Sequence, residues 1–244
     1  MKKFKALLFD INGTVSDIYT CDDDEKVFRT TANFLGYHGV EIGSNILREK
    51  YMTLNHEQRR KSGEEFPEFD VVKIFRDIIR EFAAADMENE EIIAINASLV
   101  YRAASLLHLE PYPGVKEILG ALKKNYRLGA ISDGQSVWGR AELRMAGLED
   151  FFESMVISGD SGFRKPDPRI FFTALGNMGL RSDEVIYIGN DMFRDIYGAS
   201  RIGIKTVFFK SNQGEHGFSG KEPDYIVYRF DEIPQAVEFL ERHS

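Results

Sequence analysis

Asp10 closes the first apolar run of the chain, Phe4-Lys5-Ala6-Leu7-Leu8-Phe9, and Asn12, Gly13 and Thr14 stand directly after it. Three more polar clusters occupy comparable places: Ser132-Asp133-Gly134, Arg164-Lys165, and Gly189-Asn190-Asp191 with Asp195 four residues beyond. Together these residue types make one chemical set. Asp10 and Asp191 can share a magnesium ion, a hard cation that takes a few carboxylates and keeps waters and phosphate oxygens in its other positions. Asp195 can add a carboxylate through water or orient a ligand. Lys165 offers phosphate a positive charge. Ser132 and the backbone N–H groups of Asp133 and Gly134 can hydrogen-bond phosphate oxygens at the start of a helix. A carboxylate can also attack phosphorus and carry it as an aspartyl-phosphate. Asp10 is the candidate, because it ends a strand and Gly13 allows a tight turn behind it.

Taken singly, each residue has a plainer reading. An Asp after a strand is usually a turn or helix cap, a Lys before proline is usually solvated, and Ser132 suits any turn. Asp191 and Asp195, at helical spacing, suit an N-cap and an exposed face. The set outweighs its parts because order along the chain and placement on the elements agree.

Those elements alternate over most of the chain. A buried strand covers Phe4 to Phe9 and stops at the turn chemistry of residues 10–14. From Asp23 to about Leu109 the pattern is helical, with no strand expected. Ser44 can cap a helix over Asn45 to Lys61, and Asp70 one over Val71 to Ala84, where Val72, Phe75, Ile79 and Phe82 recur at helical spacing. A third helix covers Glu90 to Leu107. After Pro111-Tyr112-Pro113-Gly114 the alternation resumes. Strands are expected at Arg127–Ile131, Ser154–Ile157, Glu184–Ile188, Lys205–Phe209 and Tyr225–Val227. Helices are expected at Val115–Lys124, Ser136–Ala146, Pro168–Met178, Phe193–Ile202 and about Asp231–Glu241. Such alternation predicts a parallel sheet covered on both faces, which binds ligands at the carboxyl ends of its strands. The polar clusters stand at those ends.

Composition narrows the partners. The chain has 244 residues, 43% of them hydrophobic, enough for one large domain or two small ones. A net charge of −8 argues against nucleic acid but leaves room for a small phosphorylated substrate in a locally positive site. Cys21 is the single cysteine, so no internal disulfide exists, and the three acids after it blunt its reactivity as a nucleophile. The run Ala6 to Phe9 is too short for a signal-peptide core, and no stretch approaches the roughly 18 apolar residues of a membrane span. A cytoplasmic protein without a membrane partner is expected.

The clusters also resemble the four motifs of the haloacid dehalogenase superfamily. Phe9-Asp10-Ile11-Asn12-Gly13-Thr14 looks like its first motif, usually Asp-x-Asp-Gly-Thr. Ile131-Ser132-Asp133-Gly134 resembles the second. Phe163-Arg164-Lys165-Pro166-Asp167-Pro168 is similar to the third, and Ile188-Gly189-Asn190-Asp191 through Asp195-Ile196-Tyr197-Gly198-Ala199 to the fourth. The resemblance covers essentially the whole chain. It implies a Rossmann-like three-layer α/β/α core with a parallel sheet, residues 1–16 and 110–244, and an all-helical cap, residues 17–109. It implies magnesium-dependent hydrolysis of phosphate monoesters. Asp10 would attack phosphorus, Lys165 would balance charge, and Thr14, Ser132, Asp133, Gly134 and Lys165 would hold phosphate. Asp10, the carbonyl of Asn12, Asp191 and Asp195 would hold the metal.

Asn12 departs from the pattern. The family's phosphatases carry there an Asp that gives the leaving alcohol a proton and then helps activate water. An amide has no titratable proton, and general acid–base help is worth about 10²–10⁴ in rate. Three outcomes follow: a hydrolase of esters with good leaving groups, a related phosphoryl-transfer or C–X-cleaving enzyme, or a catalytically weak binder of a phosphorylated ligand. Asp17, Glu64 and Glu65 are conceivable replacement acids. In the cap block, His56, Arg59, Arg60 and Lys61 could meet an anionic substrate tail or form a solvated helix face. Tyr19, Tyr51, Phe66 and Trp138 are expected to pack rather than to bind.

Overall fold

The computed structural model describes residues 3–85 and 87–243; Met1, Lys2, Asp86 and Ser244, inside the expected core and cap spans, lie outside the described residues. The chain runs β1 (Ala6–Phe9), β2 (Ser16–Thr20), α1 (Glu25–Tyr37), α2 (Ser44–Lys61), α3 (Val71–Phe82), α4 (Glu90–Ser105) and β3 (Leu106–Pro111). It continues with α5 (Val115–Lys123), β4 (Arg127–Ser132), α6 (Ser136–Ala146), β5 (Ser154–Ile157), α7 (Pro168–Met178) and β6 (Val185–Gly189). A π-helical turn (Met192–Tyr197) runs into α8 (Gly198–Ser200), followed by β7 (Lys205–Phe209), β8 (Tyr225–Val227) and α9 (Ile233–His243).

Six strands form one sheet in the order β5-β4-β1-β6-β7-β8, parallel at every pairing. All four residues of β1 are buried, as expected for a strand covered on both faces. Alternation sorts them. Leu7 and Phe9 join Val115 and Leu119 of α5 and Ile233, Val237 and Leu240 of α9. Ala6 and Leu8 join Ile170, Phe171 and Ala174 of α7 on the other face. This is the expected three-layer α/β/α architecture. The strand order reverses beside β1, and the crevice at that reversal is where doubly wound sheets bind ligands.

Helices α1–α4 bury a cluster of their own, including Phe28, Leu35, Tyr51, Ile74, Phe75, Ile78 and Tyr101. In α3 the buried positions Val71, Ile74, Phe75, Ile78 and Ile79 make one stripe at helical spacing, and the Asp70 carboxylate accepts from the Lys73 N–H as the N-cap. Trp138 of α6 packs into this cluster. Its ring stacks on Tyr101 at 6.1 Å, and its Nε1–H donates to the Ser98 carbonyl at 3.0 Å. The Arg102 Nε to Glu142 Oε1 contact, 2.5 Å, adds an ion pair from α4 to α6. Tyr51 is core, whereas Tyr19 is exposed.

Three sequence expectations change. The helical block is not free of strands: β3 takes Leu106 and Leu107 from the expected third helix and pairs antiparallel with β2, Ser16 facing Pro111 and Tyr19 facing His108. Both strands are short and half-polar, and they pair because the two crossings between sheet and helices run side by side in opposite directions. Ser44 is the first residue of α2 rather than its cap; Gly43 is the N-cap, without a side-chain bond. The expected helix Phe193–Ile202 is a π-helical turn followed by one turn of α-helix.

Candidate active site

Asp10 directly follows β1, and its N–H donates to Ile188 O of the neighbouring β6 at 2.9 Å. The carboxylate is 5% exposed, and both of its oxygens are held. Lys165 Nζ donates to Oδ1 at 2.6 Å, and Thr14 Oγ1 lies 2.9 Å from Oδ2. Thr14 Oγ1 is also 3.1 Å from Asn190 Oδ1, so one hydroxyl proton serves two acceptors from different strands. The turn closes this tightly because residue 13 is glycine, at φ +85°: a Cβ there would lie 2.2 Å from Asn190 Nδ2.

The buried Lys165 ammonium meets four acceptors. Besides Asp10 these are Asp195 Oδ1 at 2.7 Å, and Ile131 O and the Tyr187 hydroxyl at 3.2 Å each. Burial pulls its pKa down, but attraction from Asp10 and Asp195 outweighs burial and holds it well above the usual range. The ammonium therefore stays charged and offsets part of the negative charge of Asp10 and Asp195. Tyr187 reaches it because alternation in β6 turns that side chain to the α7 face, where its OH donates to Asp195 Oδ1 at 3.0 Å.

Asp195 is buried in the same cluster. Its Oδ1 faces Lys165 and Tyr187, and its Oδ2 accepts the N–H groups of Asn190 and Asp191 at 3.1 and 3.0 Å. It folds back under the end of β6, and Gly189 is the space it needs: a Cβ there would lie 2.5 Å from Asp195 Cβ. Both Asp195 oxygens thus carry bonds, as do those of Asp10 and Asp191, and the Asp195 carboxylate fixes Lys165 and the β6 strand end.

Asp191 caps the π-helical turn. Its Oδ1 accepts from Phe193 N and Arg194 N at 3.0 and 2.7 Å; its Oδ2 accepts from Arg194 Nε at 2.9 Å and Glu215 N at 3.1 Å. Burial would raise its pKa, but Arg194 and these N–H groups hold it below the ordinary carboxylate range. On the other side of β1, Ser132 ends β4, buried, and Asp133 Oδ1 accepts from Lys165 N at 3.1 Å. Burial pushes the Asp133 carboxyl up. The Gly134 N–H is not aimed at an anion. It donates to Ser158 Oγ at 2.9 Å, and Ser158 donates to Glu68 Oε2 at 2.8 Å, from the segment joining α2 to α3. Gln135 grips the same segment, Nε2 on Phe69 O at 2.6 Å and Oε1 on Val71 N at 2.9 Å.

Asn12 is half-buried, its Oδ1 3.4 Å from Ser16 Oγ. The three acids that could replace its missing proton differ in their partners. Asp17 Oδ1 accepts from Gln213 Nε2 at 2.6 Å, Glu64 is ion-paired with Arg169 of α7, and Glu65 is exposed. Arg59 lies on Phe69 and 3.4 Å from Glu68, and Lys61 pairs with Glu57, so neither is an idle anion hook. Phe66 packs edge-on against Phe193, ring centroids 6.0 Å apart.

In the sequence Asn190 stood out only as a neighbour of the acids, and Tyr187, Arg194, Ser158 and Glu68 did not stand out at all. The period-two pattern of β6 could have turned Tyr187 toward the Lys165 side. Nothing local marks Ser158 and Glu68, 90 residues apart. Among the described residues, no group of three or more His, Cys, Asp and Glu could hold a metal by itself.

Lys165→Met is expected to leave Asp10 and Asp195 as buried, uncompensated carboxylates and to destabilise the fold by about 3–5 kcal/mol. Urea unfolding measures this; a loss below about 1 kcal/mol would mean that water already shares the charge.

A family model described as haloacid dehalogenase-like hydrolase matches residues 46–209. The chain belongs to the haloacid dehalogenase-like hydrolases. Similar members include glyceraldehyde 3-phosphate phosphatase of Pyrococcus furiosus, 30% identical over 247 residues, covering 100% of this chain and 96% of that one. The enzyme of the same name from Methanothermobacter thermautotrophicus is 29% identical over 240 residues, covering 97% and 99%. Among solved structures, 2-haloacid dehalogenase of Pseudomonas syringae superposes with a TM-score of 0.70 at 21% identity, covering 97% of this chain and 99% of that one. That likeness shares the hydrolase fold without defining the reaction. No described helix of this hydrolase is long and apolar enough to cross a membrane.

Proposed function

We propose that this hydrolase removes phosphate from a small phosphorylated metabolite, with Asp10 as nucleophile and magnesium as cofactor. The carrying observation is the buried Asp10–Lys165–Asp195 cluster at the strand-order reversal, with Asp191 on the adjoining strand end. The names of the glyceraldehyde 3-phosphate phosphatases make a three-carbon phosphate the first substrate to try.

The donor set suits a hard dication. Asp10, the carbonyl of Asn12 and Asp191 are oxygen donors on two neighbouring strand ends, and two carboxylates plus waters and substrate are what magnesium ordinarily takes. When bound, magnesium would supply charge to the phosphoryl oxygens. The chain's own residues do the rest. Thr14 and Lys165 fix the Asp10 carboxylate, and Lys165 keeps its charge through the cycle because Asp195 and Tyr187 hold it. Ser132, with the turn after β4, flanks the phosphate on the side away from Asp191. Attack by Asp10 on phosphorus gives an aspartyl-phosphate, which water then cleaves. Residues 17–109 act as a cap over the site and exclude competing water. Asn12 gives the leaving oxygen no proton, so an aryl phosphate, whose leaving group departs readily, should turn over faster than glyceraldehyde 3-phosphate, a primary-alkyl ester.

The test is phosphate release from glyceraldehyde 3-phosphate and from an aryl phosphate, with magnesium and after chelation. Release that disappears on chelation and returns with added magnesium is expected. Equal release under both conditions would remove the metal from the reading, and no release from either substrate would remove the phosphatase.

A further inference from the structure

The mechanism above leaves two charged groups at the site unused, Arg194 and Asp133. Arg194 Nε and Nη2 both lie 2.9 Å from Asp191 Oδ2, the oxygen outside the N-cap, which also accepts the Glu215 N–H at 3.1 Å. The remaining terminal nitrogen, Nη1, is 3.7 Å from Asp133 Oδ2. That distance is too long for a hydrogen bond. Among the described residues, Asp133 Oδ2 is the one buried side-chain oxygen or nitrogen without a hydrogen-bond partner. β4 and β6 flank β1, so Asp133 and Asp191 follow the strands on either side of Asp10. One guanidinium thus stands between two carboxylates, bonded to one and just short of the other.

An unsatisfied buried carboxylate oxygen is costly, and a guanidinium fork is the group that best repays it. A shift of about 1 Å would bring Nη1 within the usual charge-assisted hydrogen-bond distance of Asp133 Oδ2. The move is opposed by the bonds to Asp191 Oδ2. A dication on that same oxygen would remove the opposition, because two cations cannot share it without strong repulsion.

We propose that Asp191 Oδ2 is exchanged between Arg194 and the divalent cation, and that cation binding turns the guanidinium onto Asp133 Oδ2. This rests on the reading of Asp191 as a metal ligand. Arg194 is then a positioning residue with two seats. It holds Asp191 in place without the metal, weakens metal affinity by competing, and on displacement ties the β4 strand end to the β6 side of the site.

The experiment titrates the full chain with Mn²⁺, following the free ion by its electron paramagnetic resonance signal. The variants are Arg194→Met, Arg194→Gln, Asp133→Asn and the double variant Arg194→Met/Asp133→Asn, each with its melting curve. Loss of a charge-assisted bond that competes with the metal should tighten Mn²⁺ binding by about tenfold in both Arg194 variants. Asp133→Asn, which offers the displaced guanidinium a poorer seat, should weaken binding in the wild-type background. In the Arg194→Met background it should have no effect. Unchanged or weaker binding in the folded Arg194 variants overturns the exchange. If Asp10→Asn and Asp191→Asn still lose Mn²⁺ affinity in that case, the metal reading stands without it. If Mn²⁺ binding ignores Asp10→Asn and Asp191→Asn, the metal reading fails, and the exchange fails with it.

Discussion

Asp10→Asn lowers phosphate release by roughly 10⁴–10⁶-fold, the scale of loss when a covalent nucleophile is removed from an enzyme. The amide keeps the shape of the carboxylate but not its charge or nucleophilicity. The fold should survive, because Lys165 keeps Asp195, the Ile131 carbonyl and the Tyr187 hydroxyl as partners. The melting temperature is therefore expected to stay within a few degrees of the parent, which separates lost chemistry from lost structure. Rapid acid quenching gives a second reading: phosphate stays attached to the parent chain and not to the variant. A folded Asp10→Asn protein with more than about a hundredth of the parent rate would place the nucleophile elsewhere.

Asn12→Asp works in the opposite direction. It restores an acid two residues from Asp10 and should raise turnover of an alkyl phosphate by about 10²–10⁴. The gain on an aryl phosphate should be much smaller, since that leaving group needs no proton. The half-buried side chain, 3.4 Å from the Ser16 hydroxyl, has room for a carboxylate and a donor beside it. Equal gains on both substrates would show that residue 12 acts through charge rather than as a proton donor. Tight binding of a phosphorylated ligand with no turnover of either substrate, even after Asn12→Asp, would favour a chain that binds such a ligand without cleaving it. Asn12-Gly13 is also prone to deamidation, since Gly leaves the succinimide route unhindered. If activity of aged protein rises in step with Asn12 conversion measured by mass, part of the parent rate belongs to converted molecules; constant activity during conversion excludes this.

The parallel sheet was legible because a strand buried on both faces leaves a run such as Ala-Leu-Leu-Phe, and a parallel partner requires an intervening helix. Helix α3 was legible through its Asp70 N-cap and its apolar spacing. The chemistry was legible as a set because strand ends are where polar residues follow apolar runs, and four such ends carried complementary groups. β2 and β3 were not legible. Each is short and half-polar, and only the other's backbone, some 90 residues away, makes either a strand.

The amino-acid sequence by itself determined which residue types stand at each strand end, in what order, and therefore the fold and the class of chemistry. Where each side chain points was decided by tertiary structure. Asp191 and Asp195, four residues apart, would share one face of an ordinary helix. The π-helical turn and the space left by Gly189 instead send Asp195 back to Lys165 and leave Asp191 facing Arg194. Gly134, read as a phosphate ligand, spends its N–H on Ser158. The reason is physical. Periodicity and caps act between near neighbours and leave a mark in the sequence. The direction of a buried carboxylate is settled by which donors reach it, and Lys165 reaches Asp10 from 155 residues away.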